Sequence, residues 1–254
     1  MHAGSLIAAG FDCDIFQAGP GKIIRRAREG RSLEREASVM RHAWRNGFPV
    51  PRVFDADGPD ILMEHVEGTS MRQEAAERPE RMPEHGRLLG ELLRRLAAVR
   101  APGWLQAADG CPGNRLLHLD LHPANVLLTA DGPRVIDWAN AARGASGADT
   151  ACTWLILAAA PVDDPAVAAG REGLLAGFRD AADVEAARPY LRVTGERRRA
   201  DGNVTAEERA AIDRFLTREA PEPAGEWTGS TTGDTREGGD DGRAARGMDL
   251  RRRP

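Results

Sequence analysis

The sequence predicts a two-lobed α+β fold: a small β-rich N-terminal lobe with one helix, then a larger, mostly helical C-terminal lobe. Before residue 66, short strand-like segments and turn signals surround a single helical stretch. From about residue 70 the apolar spacing becomes helical. Between these helices, residues 118–137 place polar groups at fixed intervals in an otherwise apolar run. The predicted division is 1–66 for the first lobe, 67–218 for the second, and 219–254 for a tail. At 254 residues the chain is long enough for one large domain or two modest ones, each with its own core.

In the first lobe, Ser5 to Ala8, Ile15 to Ala18 and Lys22 to Arg26 are strand candidates, the last opened by the Gly19-Pro20-Gly21 turn. Ser32 is the expected N-cap of a helix ending at Gly47, with Leu33, Ala37, Met40 and Trp44 as its apolar stripe. Phe54 and Ile61 to Glu64 flank an Asp57-Gly58 turn and read as a hairpin. In the second lobe, Leu88, Leu89, Leu92, Leu93 and Leu96 oppose Arg87, Glu91, Arg94 and Arg95, and Pro102 lies beyond the helix end. Ala151 to Pro161 reads as a buried helix, too short to span a bilayer. Asp164-Pro165 is an N-cap with a first-turn proline, and Thr205 to Glu208 fits a capping box ahead of Ile212, Phe215 and Leu216. The tail is Gly, Thr, Asp, Glu and Arg with little to bury except Trp227, so disorder is expected there.

The net charge of −4 offers no basis for nucleic-acid or anionic-membrane binding. Cys13, Cys111 and Cys152 are scattered and odd in number, which fits neither a disulfide framework nor a zinc site and suits a reducing compartment. With no leader-like N-terminal segment, a cytoplasmic protein is expected. Oligomeric state has no signal in the sequence.

The central motif runs His118-Leu-Asp-Leu-His-Pro-Ala-Asn125, then Val126-Leu-Leu, a turn at Asp131-Gly132, and Val135-Ile-Asp137-Trp138. Phosphoryl transfer needs a carboxylate to orient the acceptor hydroxyl and take its proton, which Asp120 supplies. It also needs oxygen ligands for Mg²⁺ over the nucleotide phosphates. Asn125, five positions on, and Asp137, at the exit of a predicted hairpin, supply those.

His-x-Asp-x-x-x-x-Asn followed by Ile-Asp-Trp resembles the aminoglycoside phosphotransferase and choline kinase-like family, over about residues 5 to 216. The resemblance implies a protein-kinase-like fold and transfer of the γ-phosphoryl group of ATP, or GTP, to a small-molecule hydroxyl. The acceptor is an aminoglycoside-type antibiotic or a metabolite. Protein kinases proper carry Arg before the catalytic Asp and Phe-Gly after the metal Asp, where this chain has Leu119 and Trp138. Such enzymes anchor phosphate with a basic residue on the third strand, paired to a helix Glu. Arg25 after Ile23-Ile24 is favoured over Lys22, the only lysine, with Glu36 as its partner. Gly10 marks the phosphate-covering turn, although no Gly-x-Gly-x-x-Gly is present and Asp12 and Asp14 follow it. By position, Glu64 and Val66 fall in a linker that would hold the base through backbone groups. His118 and His122 read as loop scaffolding, and Asp149 as either a brace for the loop or a helix cap. Asp163, Asp164, Glu172, Asp180, Asp183 and Glu185 are either an acidic acceptor surface or ordinary caps and solvated charge. A catalytically idle nucleotide-binding module is the alternative function.

Overall fold

The computed structural model describes residues 2–10 and 12–220. The predicted tail, Trp227 included, lies outside the described residues except for Glu219 and Ala220. Glu219 ends a helix and is held by Arg188, whose Nη1 donates to its carbonyl at 2.8 Å.

The N-terminal part is an antiparallel sheet of β1 (Leu6–Ala9), β2 (Cys13–Gln17), β3 (Lys22–Ala27), β4 (Val53–Asp57) and β5 (Asp60–Glu64), ordered β1-β2-β3-β5-β4. Helix α1 (Glu34–Arg45) packs on it. The register pairs Arg25 with Ile15 and Ile61, and Ile23 with Met63. Because side chains alternate along a strand, Ile23 and Arg25 share a face that Lys22 and Arg26 oppose. Lys22 Nζ lies 4.7 Å from the centre of the Phe54 ring, and Arg26 pairs with Asp60 at 2.6 Å.

Two expectations for α1 need correction. Ser32 is not its N-cap: Leu33 holds that position, and the Ser32 hydroxyl accepts the Glu34 N–H at 3.3 Å. Nor does Trp44 belong to the buried stripe. Ala43 completes the face made by Leu33, Ala37 and Met40, where the helix packs closely enough to favour a methyl group. The Trp44 indole is 49% exposed and stacks under the Arg52 guanidinium. Gly47, at φ +74°, ends the helix as expected.

The C-terminal part begins with β6 (Thr69–Ser70), α2 (Met71–Glu77) and α3 (Met82–Ala98). It continues through β7 (Arg115–Leu117), β8 (Val126–Thr129), β9 (Gly132–Val135) and β10 (Ala142–Gly144). Helices α4 (Ser146–Ala159), α5 (Pro165–Ala181), α6 (Val184–Ala187), α7 (Leu191–Ala200) and α8 (Ala206–Glu219) complete it. The β8–β9 hairpin pairs Val126 with Val135, leaving Asp137 just beyond the second strand. Helix α4 is buried almost throughout, with Trp154 packed edge-on against Phe215 of α8. Asp164 caps α5 by accepting the Ala166 N–H at 2.8 Å. The Thr205 hydroxyl caps α8, but Glu208 does not close the expected box; its carboxylate turns to Arg198 instead. All three cysteines are free and buried. Among the described residues no helix is long and apolar enough to cross a membrane.

Helices α3 and α5 meet backbone to backbone. A β-carbon on Gly86 would stand 1.9 Å from the Leu174 carbonyl oxygen, and one on Gly177 would stand 1.9 Å from that of Pro83. Only glycine permits this approach. Gly86→Ala or Gly177→Ala is therefore expected to cost at least about 1–3 kcal/mol, as overpacked cores do. A thermal melt of either variant that matches the parent would contradict the close contact.

Candidate active site

Strain and burial set the geometry of the loop between β7 and β8. Leu119 has φ +61° and Asp137 φ +64°, conformations that cost non-glycine residues about 1–3 kcal/mol each. The surroundings hold Leu119 there. Asp149, buried in the first turn of α4, accepts the His118 N–H at 2.9 Å and the Leu119 N–H at 2.7 Å. The Cys152 thiol donates to the Leu119 carbonyl at 3.1 Å. Of the two readings open for Asp149, the structure shows the brace; the N-cap of α4 is Ala145. Asp149→Asn would set an amide N–H₂ against backbone donors. It is expected to destabilise the fold by about 1–3 kcal/mol, a loss that a denaturant titration would register.

His118 is fully buried. Its Nε2 donates to the Ile136 carbonyl at 3.1 Å and its ring packs 4.7 Å from that of Trp138. Burial holds its imidazole down to about 4, hence neutral. His122 is held to about 4 by the same cause, and its Nδ1 accepts the Ala124 N–H at 3.2 Å. Both act as scaffolding for the loop.

The loop presents Asp120, with a side chain 21% exposed. Burial pushes its carboxyl up to about 6 against the pull of Arg198; Asp137 and Asp201 add to the rise and Arg197 opposes it. Asn125 Nδ2 donates to the Asp120 carbonyl at 2.9 Å and lies 3.5 Å from its carboxylate. The Asn125 Oδ1 accepts no hydrogen bond among the described residues. The Ile136 N–H, donating to the Asn125 carbonyl at 3.0 Å, ties the Asp137 segment to the same loop.

Across the cleft, Arg25 pairs with the buried Glu36 carboxylate, and its Nη2 stands 3.6 Å from Asp137. The same Glu36 oxygen accepts the Trp138 N–H at 3.1 Å, so one carboxylate links α1, β3 and the Asp137 loop. A cleft of about 240 Å³ is lined by Ile15, Ile23, Met40 and Met63 on one side and Leu127 and Ile136 on the other. Arg25, Glu64, Val66, Asn125 and Asp137 also reach it. The Val66 N–H and C=O make no backbone hydrogen bond among the described residues, which leaves both available to a planar ligand. An amide oxygen and a carboxylate at this cleft are hard donors, suited to a divalent cation that completes its shell with phosphate and water.

Most sequence-predicted residues converge here, and Gly10 does not. It is exposed in the β1–β2 turn, where its N–H donates to the Cys13 carbonyl at 2.9 Å, and it does not line the cleft. Asp14 and Asp12 turn to Arg28 and Arg31. Of the two readings open for the acidic residues after Asp137, four fit caps and outward pairs: Asp164 and Asp183 cap helices, Asp180 faces Arg87, and Glu185 pairs with Arg188. Arg198 also stands at the site, with no expectation from the sequence. From the last turn of α7 its Nη1 stands 3.9 Å from Asp120 and its Nε donates to Glu208 at 2.9 Å. The Arg197-Arg198-Arg199 run was a visible signal, but nothing local ties it to a residue so far back in the chain.

Comparison with known proteins bears on the fold and the family. The chain resembles in fold an aminoglycoside phosphotransferase, APH(4)-Ia, in a thermostable apo form, at TM-score 0.59 and 15% identity over 84% of this chain and 93% of that one. It resembles the streptomycin–ATP complex of APH(2″)-IIa at TM-score 0.54 and 13% identity, over 76% and 83% of the two chains. A choline/ethanolamine kinase family protein from Mesorhizobium loti matches at TM-score 0.51 and 17% identity, over 85% and 86%. These neighbours share the protein-kinase-like fold. A 108-residue stretch, 41% of this chain, is 38% identical to the probable serine/threonine-protein kinase PkwA of Thermomonospora curvata, and spans only 13% of that protein. Residues 4–110 and 104–190 match the APH phosphotransferase enzyme family. The chain belongs to that family.

Proposed function

We propose that this protein transfers the γ-phosphoryl group of ATP to a hydroxyl of a small molecule. The observation that carries the reading is that Arg25, Asn125 and Asp137 line one cleft, with Asp120 hydrogen-bonded to Asn125 and Glu36 paired to Arg25 behind it. Asp120 accepts the hydroxyl proton as the acceptor oxygen forms its bond to Pγ and the bond from Pγ to the bridging oxygen of ADP breaks. Asn125 and Asp137 would hold Mg²⁺, which when bound would neutralise charge on the phosphates. Arg25, kept in place by Glu36, meets the inner phosphates. Glu64 and Val66 would supply linker backbone to the adenine ring, in a cleft whose apolar lining includes Ile23 and Ile136. Catalysis is positioning and charge stabilisation, without a covalent intermediate.

The likeness to PkwA favours a second reading, a protein acceptor. Against it, the stretch from Trp138 to the start of α4 at Ser146 is short for a peptide-docking segment and is pinned by Arg35 to the Ala139 carbonyl. Gly10, standing off the cleft, favours an idle nucleotide-binding module, which the assembled Asp120, Asn125 and Asp137 oppose. The test is a panel of metabolites, antibiotics and peptides incubated with ATP and Mg²⁺ and read for a mass gain of one HPO₃ unit. Transfer to a small molecule that is absent with Asp120→Asn supports the reading. Transfer to peptides alone, or binding of ATP without transfer to anything, would replace it.

A further inference from the structure

Asp137 holds its left-handed backbone conformation, φ +64°, between two sets of hydrogen bonds. Before it, the Ile136 N–H donates to the Asn125 carbonyl at 3.0 Å and fixes that side to the loop of Asp120. After it, residues 138–141 form a turn closed by the Ala141 N–H on the Trp138 carbonyl at 3.1 Å. Two consecutive residues of α1 grip this turn. Glu36 accepts the Trp138 N–H at 3.1 Å. The guanidinium of Arg35 spans two carbonyls, with Nη1 donating to that of Ala139 at 3.1 Å and Nη2 to that of Ala141. Glu36 is also committed to Arg25, whereas Arg35 forms no ion pair among the described residues. A long, exposed side chain gives up freedom to hold one geometry, so a planar fork set on two carbonyls of a distant turn is a specific contact.

We propose that Arg35 is a positioning residue for the metal site: by spanning the Ala139 and Ala141 carbonyls it keeps Asp137 in the strained conformation that sets its carboxylate at the cleft. The single bond from the Trp138 N–H to Glu36 leaves the turn free to rotate about that bond. The paired guanidinium bonds supply the further points that fix its orientation. Released, Asp137 would relax to an ordinary backbone angle, and its carboxylate would leave the place it holds 3.6 Å from Arg25 Nη2. Charge alone gives the opposite sign. Taking a cation away from a metal site favours a bound divalent cation, so an Arg35 that acted only through its charge would weaken Mg²⁺ binding, and its loss would strengthen it. The proposal rests on the phosphotransferase reading above and deepens it by naming what assembles the metal site.

The test is calorimetry on the full chain, with ATP titrated in the presence and in the absence of Mg²⁺. In Arg35→Ala, the gain in ATP affinity that Mg²⁺ gives is expected to fall by about 10- to 100-fold, the range for hydrogen bonds to a charged group. ATP binding without Mg²⁺ is expected to stay near the parental value, because Arg25 and Glu36 are untouched. Arg35→Lys keeps the charge but cannot span both carbonyls, so an intermediate loss is expected. A thermal melt shows whether each variant folds, and Arg35→Lys carries the test if the alanine variant does not. An unchanged or larger Mg²⁺ gain in the variants would overturn the inference and leave the phosphotransferase reading standing. So would an equal loss of ATP affinity with and without Mg²⁺, the result expected of a purely structural pin. A parent chain that binds no ATP in either condition would overturn both.

Discussion

Asp120→Asn is expected to lower kcat by about 10²- to 10⁴-fold, the usual contribution of a positioned general base, while ATP binding holds. The substitution keeps shape and removes the proton acceptor. It also leaves the Asn125–Asp120 carbonyl hydrogen bond intact, since that bond uses the main chain. The pH dependence has a definite sign. Burial raises the Asp120 carboxyl from its ordinary range to about 6, and only the ionised form accepts a proton. Activity should therefore fall as pH drops through about 6, rather than near the ordinary carboxylate value of 3.8. A pH–rate profile flat down to pH 5, or an Asn variant with near-parental kcat, would remove Asp120 from the base position.

Glu36→Ala is expected to cost both stability and nucleotide affinity. Its carboxylate is 3% exposed and neutralises Arg25, which is itself 14% exposed. Removing one partner of a buried ion pair strands the other, at about 3–5 kcal/mol. The same change frees the Trp138 N–H and loosens the Asp137 loop. Arg25→Ala should raise the KM for ATP strongly, and the double variant should be far less impaired than the sum of the two, because they act as one unit. Lys22→Ala should be mild, since its Nζ lies on the Phe54 ring at the opposite face. Additive effects, or a Lys22 variant as damaged as Arg25→Ala, would contradict this assignment.

Legibility in the sequence followed the range of each interaction. Asp120, Asn125 and Asp137 sit on one loop and one hairpin, so their spacing alone brought them together. Arg25 and Glu36 were readable because strand alternation and helix periodicity decide which face each residue occupies. Trp44 misled because an aromatic at helical spacing matches the core pattern, while close packing at that point selected Ala43. Glu208 matched a capping box, yet its side chain is used at long range by Arg198. Arg198 itself, and the glycine contacts between α3 and α5, depend on helix packing that no local pattern encodes.

The most direct test of the central claim, a cleft that holds ATP with Mg²⁺ beside Asp120, is a calorimetric titration of ATP with and without Mg²⁺. It would be run on the parent chain and on Asp137→Ala. Asp137 brings the one full negative charge proposed to meet the cation, with Asn125 contributing a neutral oxygen. The account predicts Mg²⁺-dependent ATP binding in the parent and its loss, or near loss, in Asp137→Ala. Equal affinity in both proteins, or binding in the parent indifferent to Mg²⁺, would contradict it.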